Sequence, residues 1–343
     1  MSNFSNSKSG RIYCAVQSSL NTAATLAGSN CCRHTRAKLT PSVPRTPRRD
    51  KTGTLSHTPG IGGFRGAQVS VEMDLAANGT LGVKPDCDPF LQSIFGQAPT
   101  VNTGTSVVYN LADISQGTLA YVPITVAHYR EPTTVQQQIA WGTIITDAEW
   151  NFNGDGSEVI AGVKFGGSAV YVPDSLSFSG LDAGGQGGLG SFPAEPTTPV
   201  TNGTVAAAFR GSLIADSNSV ATIKRGTLSF RRPAGPQYAF GTEYIVGWGL
   251  GLRDITLRFD LYDDDSSMMT DLLAHGIEDT VFSATLAIGN VSGNIWTFAL
   301  TGLQLTPPSL DDGSTDRWVA SFGNMMATVP AIANYNELTL TIT

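Results

Sequence analysis

The chain has no long hydrophobic run. Its longest apolar stretches, such as Tyr244 to Leu252, are broken by glycine and fall short of the roughly 18 residues a membrane-spanning helix needs. Charge is scarce too: 14% of the 343 residues are charged, against about a quarter in an average globular protein. The N-terminal MSNFSNSKSG lacks the apolar core of a secretory signal, so export by that route is not expected. Cys14, Cys31, Cys32 and Cys87 form no CxxC pair and have no histidine companions at zinc spacing. They are expected to be reduced thiols that pack as small hydrophobes. His34, His57, His128 and His275 are dispersed at no ligand spacing. Helical periodicity is almost absent.

What remains is a β pattern. With 41% hydrophobic residues, 38 Gly and 18 Pro, the chain can bury a core and turn often. Alternation recurs along it. In Gln68 to Leu75, the residues Gln68, Ser70, Glu72 and Asp74 fall on one side and Val69, Val71, Met73 and Leu75 on the other, as in a strand between core and water. Similar strands are predicted near 118–128, 143–152, 158–171, 222–230, 280–288 and 294–303. One short helix is signposted in KPDCDPFLQSIFG, with Asp88 as cap, Pro89 in the first turn and Gly96 at the end.

The second half repeats this order. DITLRFDL (254–261) alternates as QVSVEMDL (68–75) does, MMTDLLAHG repeats the short apolar segment ending in glycine, and VFSATLAIG follows as AYVPITVAH did. This reads as an internal duplication offset by about 186 residues at the first strand. The Gly-then-Pro-rich stretch 179–203 reads as a linker, giving one β domain over 1–178, with a long basic loop at 33–66, and a second over 204–343.

Motifs for catalysis are missing. The glycines of 184–190 precede no Gly-Lys-Ser/Thr. NFNGDGSEV at 151–159 has Gly162 where a calcium loop needs its bidentate Glu, so a hairpin turn is expected there. Asp263, Asp264 and Asp265 read as a solvated turn. GGSAV ends in valine where a nucleophile elbow needs glycine. Asp147 and Glu149 are the one carboxylate pair worth weighing for glycan hydrolysis, and they point the same way from one strand with no opposing acid identified. No enzyme activity, cofactor, metal or small-molecule ligand is expected.

The charge is divided. Residues 1–65 carry ten of the 21 Lys and Arg but only Asp50 among the acids, a net of +9, while the rest of the chain carries −16. Arg33, Arg36, Lys38, Arg45, Arg48, Arg49 and Lys51 gather in a stretch punctuated by Pro41, Pro44 and Pro47. That spacing favours extended backbone. It has no aromatic residue for base stacking and no helix or ribbon to enter a groove, so an acidic protein surface suits it better than nucleic acid. DNA binding through 33–51 stays open as an alternative.

The order GFRGAQVSVEMDLAANGTLGVKPDCDPFLQSIFGQ, then WGTIITDAEWNFNGDGSEVIAGVKFGG, resembles the tail tube proteins of bacteriophages with long non-contractile tails. It covers about Gly60 to Val172. The resemblance implies an all-β fold of two tandem tail-tube-type sandwich or barrel domains, each with a short flanking helix. It implies rings, trimeric with pseudo-sixfold symmetry in preference to hexameric, stacked around a channel for the genome. The stretch 33–51 matches a loop that reaches toward the adjacent ring, which assigns Arg33, Arg36, Lys38, Arg45, Arg48, Arg49 and Lys51 to an inter-ring contact arm. Expected partners are further copies of the chain and the tape-measure, tail terminator and distal tail proteins. Phage DNA passes without specific binding, no membrane is involved, and the expected location is the virion, after assembly in the host cytoplasm. A conduit that held phosphates through basic side chains would trap DNA by counterion release, so Glu72, Asp74, Asp254 and Asp260 are candidates for an anionic lumen wall. Another β-sandwich virion protein, for capsid decoration or receptor binding, is the alternative of the same class.

Overall fold

The computed structural model describes residues 10–48, 60–112, 121–130, 137–153, 159–176, 178, 189–197, 205–220, 223–262, 267–311, 319–328 and 336–343. In the first half, β1 (Arg11–Val16), β2 (Cys31–Cys32), β3 (Arg36–Ser42), a small hairpin of β4 (Arg45–Thr46) and β5 (Ile61–Gly62), and β6 (Gly66–Asp74) precede helix α1 (Asp88–Phe95). β7 (Thr100–Asn102), β8 (Ser106–Asn110), β9 (Ile124–Tyr129), β10 (Gln138–Asn153) and β11 (Gly162–Ala169) follow. In the second half, β12 (Gly211–Ala215), β13 (Asn218–Val220), β14 (Ile223–Arg231), a hairpin of β15 (Ala234–Tyr238) and β16 (Ile245–Leu250), and β17 (Asp254–Tyr262) precede helix α2 (Ser267–Glu278). β18 (Val281–Ile288), β19 (Trp296–Gln304), β20 (Ser309–Asp311), β21 (Val319–Ala327) and β22 (Leu338–Ile342) complete the chain. The fold is predominantly β.

The alternation that marks the strands is the alternation that sorts their side chains. Val69, Val71 and Met73 of β6 are buried, as are Ile255, Leu257 and Phe259 of β17. α1 presents Phe90, Leu91, Ile94 and Phe95 to the same core, with Phe90 stacked on Phe165 at 5.2 Å. Gly96 ends the helix in the left-handed region at φ 77°, its N–H bonded to Gln92 O, a conformation that costs glycine least. Asp88 is not the cap. Cys87 holds that position, and the Asp88 carboxylate instead accepts from Tyr109, Gln92 and Lys84. α2 runs through Gly276 to Glu278, past the glycine expected to end it.

The duplication is written in the topology. Strands of the first half pair in the order β1, β9, β10, β11, β6, β3. Those of the second pair in the order β12, β18, β19, β21, β17, β14. β2 flanks β1 as β13 flanks β12. Even the irregularities coincide: β9–β10 shifts register between Ala140 and Thr143, and β18–β19 shifts on β19 between Leu300 and Leu303. Gly142 and Gly302 sit in these two bulges with φ 59° and 62°.

The two repeats are not separately packed. β10 continues beyond its own repeat into β14, from Asp147 opposite Arg231 to Asn153 opposite Arg225, and β8 pairs with the C-terminal β22. Residues 205–208 bond to Leu75, Val159 and Ala161 before entering β12, which closes the sheet into a barrel. One hydrophobic core spans both halves, with Trp150 packed 5.1 Å from Phe298. The composition boundary at 179–203 is therefore not a boundary in the core.

Candidate functional site

Two surfaces stand out once the duplication is laid over the sheet: a polar face with two open edges, and a pair of hairpin arms.

Eight strands form a continuous run, β3–β6–β11–β10–β14–β17–β21–β20. Its residues that do not face the core are mostly polar, with Met326 of β21 an exposed exception opposite Thr256. Registers place Arg36 opposite Glu72, Glu72 opposite Lys164, and Lys164 opposite Glu149. The row alternates in sign, which favours the pairing of neighbouring strands. Arg36 approaches Glu72 at 4.0 Å, Arg231 approaches Asp147 at 3.7 Å, and Arg225 approaches Asp260 at 2.7 Å. The ends of the run are open: among the described residues, β3 pairs only with β6 and β20 only with β21.

This arrangement corrects the expected partition of charge. Arg36 and Lys38 belong to β3 and share the polar face with Glu72 and Asp74, so they are not part of a protruding arm. Arg33 is held against the body by Asp86 at 3.6 Å. Pro41 is tolerated in β3 because it is an edge strand, where a missing N–H need not break a ladder. Of the four anionic candidates, Asp254 is exposed and Glu72 and Asp74 half-buried, but Asp260 is buried and covered by Arg225. Asp260 therefore presents no free carboxylate to a channel. Asp147 and Glu149 are exposed on the same face, with Lys164 and Ser229 as the cross-strand neighbours of Glu149.

The arms are the β4–β5 and β15–β16 hairpins, inserted between β3 and β6 in the first repeat and between β14 and β17 in the second. They are copies in register. Arg45 faces Gly62 in one as Pro236 faces Trp248 in the other. Arg45 and Arg48 are exposed on the first arm, whereas Arg49 and Lys51 lie outside the described residues, as do Asp263 to Asp265 and Gly184 to Gly188. The first arm also exposes Val43, Ile61 and Phe64.

The second arm is docked. Ile245 and Trp248 are buried against the outer side of the first repeat, in a cluster with Tyr13, Ala127, Tyr129, Ile139 and Trp141. Trp248 Nε1 donates to Gly142 O at 3.3 Å. The arm passes over the base of the first one, where Tyr238 stacks on Phe64 at 4.1 Å and Arg65 lies between the Tyr171 and Tyr244 rings and Glu243. Sequence reasoning missed this arm, because Tyr244 to Leu252 reads only as an apolar stretch broken by glycine. Carrying the duplication offset across the basic loop would have found it.

The remaining titratable groups are structural. All four cysteines are free and buried, and burial pushes the Cys14 and Cys87 thiols well up. Burial, with Arg130 and His34 nearby, lowers His128 to about 4. Among the described residues no three of His, Cys, Asp or Glu are grouped as metal ligands would be. Set against known families and curated sequences, the chain matches no family model and no curated protein.

Proposed function

We propose that this chain is a structural virion protein, the subunit of stacked rings that form the tail tube of a bacteriophage with a long non-contractile tail. One observation carries the reading: the junction of β10 with β14 has an unfilled copy. Thr227 of β14 corresponds to Arg36 of β3, because each stands opposite an equivalent position, Arg258 or Glu72. Asn151 of β10 corresponds in the same way to Ser309 of β20. Asn151 and Thr227 pair within the chain; among the described residues, the outer edges at Ser309 and Arg36 have no strand partner. Joining β20 of one subunit to β3 of the next repeats the internal junction, and a head-to-tail contact of that kind forms a ring when its rotation closes. It also removes the exposed edges.

With two repeats per chain, a trimer supplies six near-equivalent units. The polar run then lines the bore, and its rows set Arg36 and Arg231 against carboxylates at 4.0 and 3.7 Å and place Lys164 in register between Glu72 and Glu149. Phosphates gain little from replacing those partners, so duplex DNA slides through instead of being held. Arg45, Arg48, Arg49 and Lys51 bind an acidic surface of a neighbouring subunit. The bore accommodates a tape-measure protein before DNA, and terminator and distal tail proteins close the two ends. The location is the virion, after assembly in the bacterial cytoplasm, and no catalytic step is assigned.

Electron microscopy of the purified chain over a range of salt and concentration tests this. Hollow rings or tubes are expected; monomers or solid spikes under every condition would overturn it.

A further inference from the structure

We infer that the first arm, the β4–β5 hairpin with its described flanks 43–48 and 60–64, lies across the outer face of the second repeat of the next subunit in the same ring. This deepens the ring reading and rests on it.

The precedent is inside the chain. The cluster on which the second arm sits includes Tyr13, Ala127, Tyr129, Ile139 and Trp141, each at most 1% exposed, and residues 192–195 share the covering, with Tyr13 bonded to Glu195 and Tyr129 packed on Phe192 and bonded to Pro193. The registers of β1, β9 and β10 against those of β12, β18 and β19 give the five counterparts as Ile214, Thr285, Ala287, Ala299 and Thr301. Those five are open: Ile214 is 40% exposed and the others are half-buried. Among the described residues, therefore, the first repeat has its cover and the second lacks one, while one arm is seated and its copy is exposed.

Size and charge agree with this occupant. A seat built of two tyrosines and a tryptophan receives Trp248 and Ile245. The shallower seat of threonines and alanines would receive an arm with Gly62 in place of Trp248. Arg45, across the hairpin from Gly62, would then face the end of the second repeat beyond Gly302. Gln304 is bonded there to Asp279 at 2.7 Å, and Asp279 is exposed. Asp216 and Asp271 are exposed around the same helix, α2. The arm's cation so meets the acidic part of the neighbour.

The internal contact also sets the test. Trp248 reaches Gly142 O through its indole Nε1, so an arm that closes onto the smaller residues of the second seat by the length of that missing side chain brings Gly62 beside Gly302 and its neighbour Thr301. A Cβ on Gly62 meets nothing closer than Val43 at 3.9 Å, and Thr301 is half-buried at the surface, so Gly62→Cys and Thr301→Cys are compatible with folding. The double variant is assembled, oxidised with copper phenanthroline, denatured and run without reductant beside the parent protein and each single variant.

A disulfide-linked ladder is expected in the double variant alone, ending at the subunit number of one ring. A ladder running past that number overturns the same-ring assignment and points to an arm that bridges rings. Rings visible by microscopy with no ladder overturn the docking while leaving the ring reading intact. A parent protein that never forms rings overturns both.

Discussion

Gly142 and Gly302 show how much of the molecule rests on single residues. Both lie at positive φ, where an L side chain is strained. A Cβ on the first would strike Val170, and one on the second the carbonyl of Thr328. Gly302→Ala is therefore expected to cost about 1–3 kcal/mol, read as a lowered midpoint in urea with an unchanged slope. Among 38 glycines nothing in the sequence singles these two out, since a bulge is defined by the partner strand. His128 gives a second test. Its counterpart in the other repeat is Leu286, and its pKa is lowered to about 4 by burial, Arg130 and His34. A depressed histidine pKa means that the unfolded chain takes up the proton first. Stability is then full above the unfolded value near 6.5 and falls as pH drops toward 4. The gap in melting temperature between His128→Leu and the parent should move in favour of the variant as pH falls from 7 to 4. A gap independent of pH contradicts that cause. His34, whose pKa is also lowered by burial, leaves part of the acid sensitivity in place.

At the scale of elements, legibility followed periodicity. The strands β6, β10, β11, β14, β17, β18 and β19 and the helix α1 were readable because each puts a nonpolar side toward one core, which imposes period two or a capped turn on the sequence. The arms do not obey that rule. Each packs, or projects, outside the barrel, so the second shows only as an apolar stretch broken by glycine and the first only its charge. Arg33, Arg36 and Lys38 were grouped with the arm because sequence proximity says nothing of where an edge strand ends. The docking of the second arm depends on a few large side chains. Trp248→Ala should leave the barrel folded but free the arm, at a cost of about 3–5 kcal/mol if the seat cannot collapse. Limited proteolysis is the check: new cleavage is expected within 234–250, and an unchanged digestion pattern would mean that Trp248 does not hold the arm.

For the whole molecule, the duplication was visible in sequence, but the fusion of the two repeats was not. Composition marks a soft segment at 179–203, yet cores are joined by strand pairing, and the pairing of β10 with β14 leaves no local trace in either strand. The same limit applies to the polar face proposed as a channel wall. Alternation identified a polar face but not its balance of charge, because Arg36, Lys164 and Arg231 reach that face from strands far apart in the chain. The account turns on the junction that is filled once inside the chain and open once outside it. Hydrogen exchange across residues 36–42, followed in dispersed subunits and in assembled material, measures that junction directly. Slowing by at least about tenfold on assembly is predicted, as expected when open edge amides gain partners, with β6 little changed. Tubes that form while β3 keeps the exchange rate of the free subunit would contradict it.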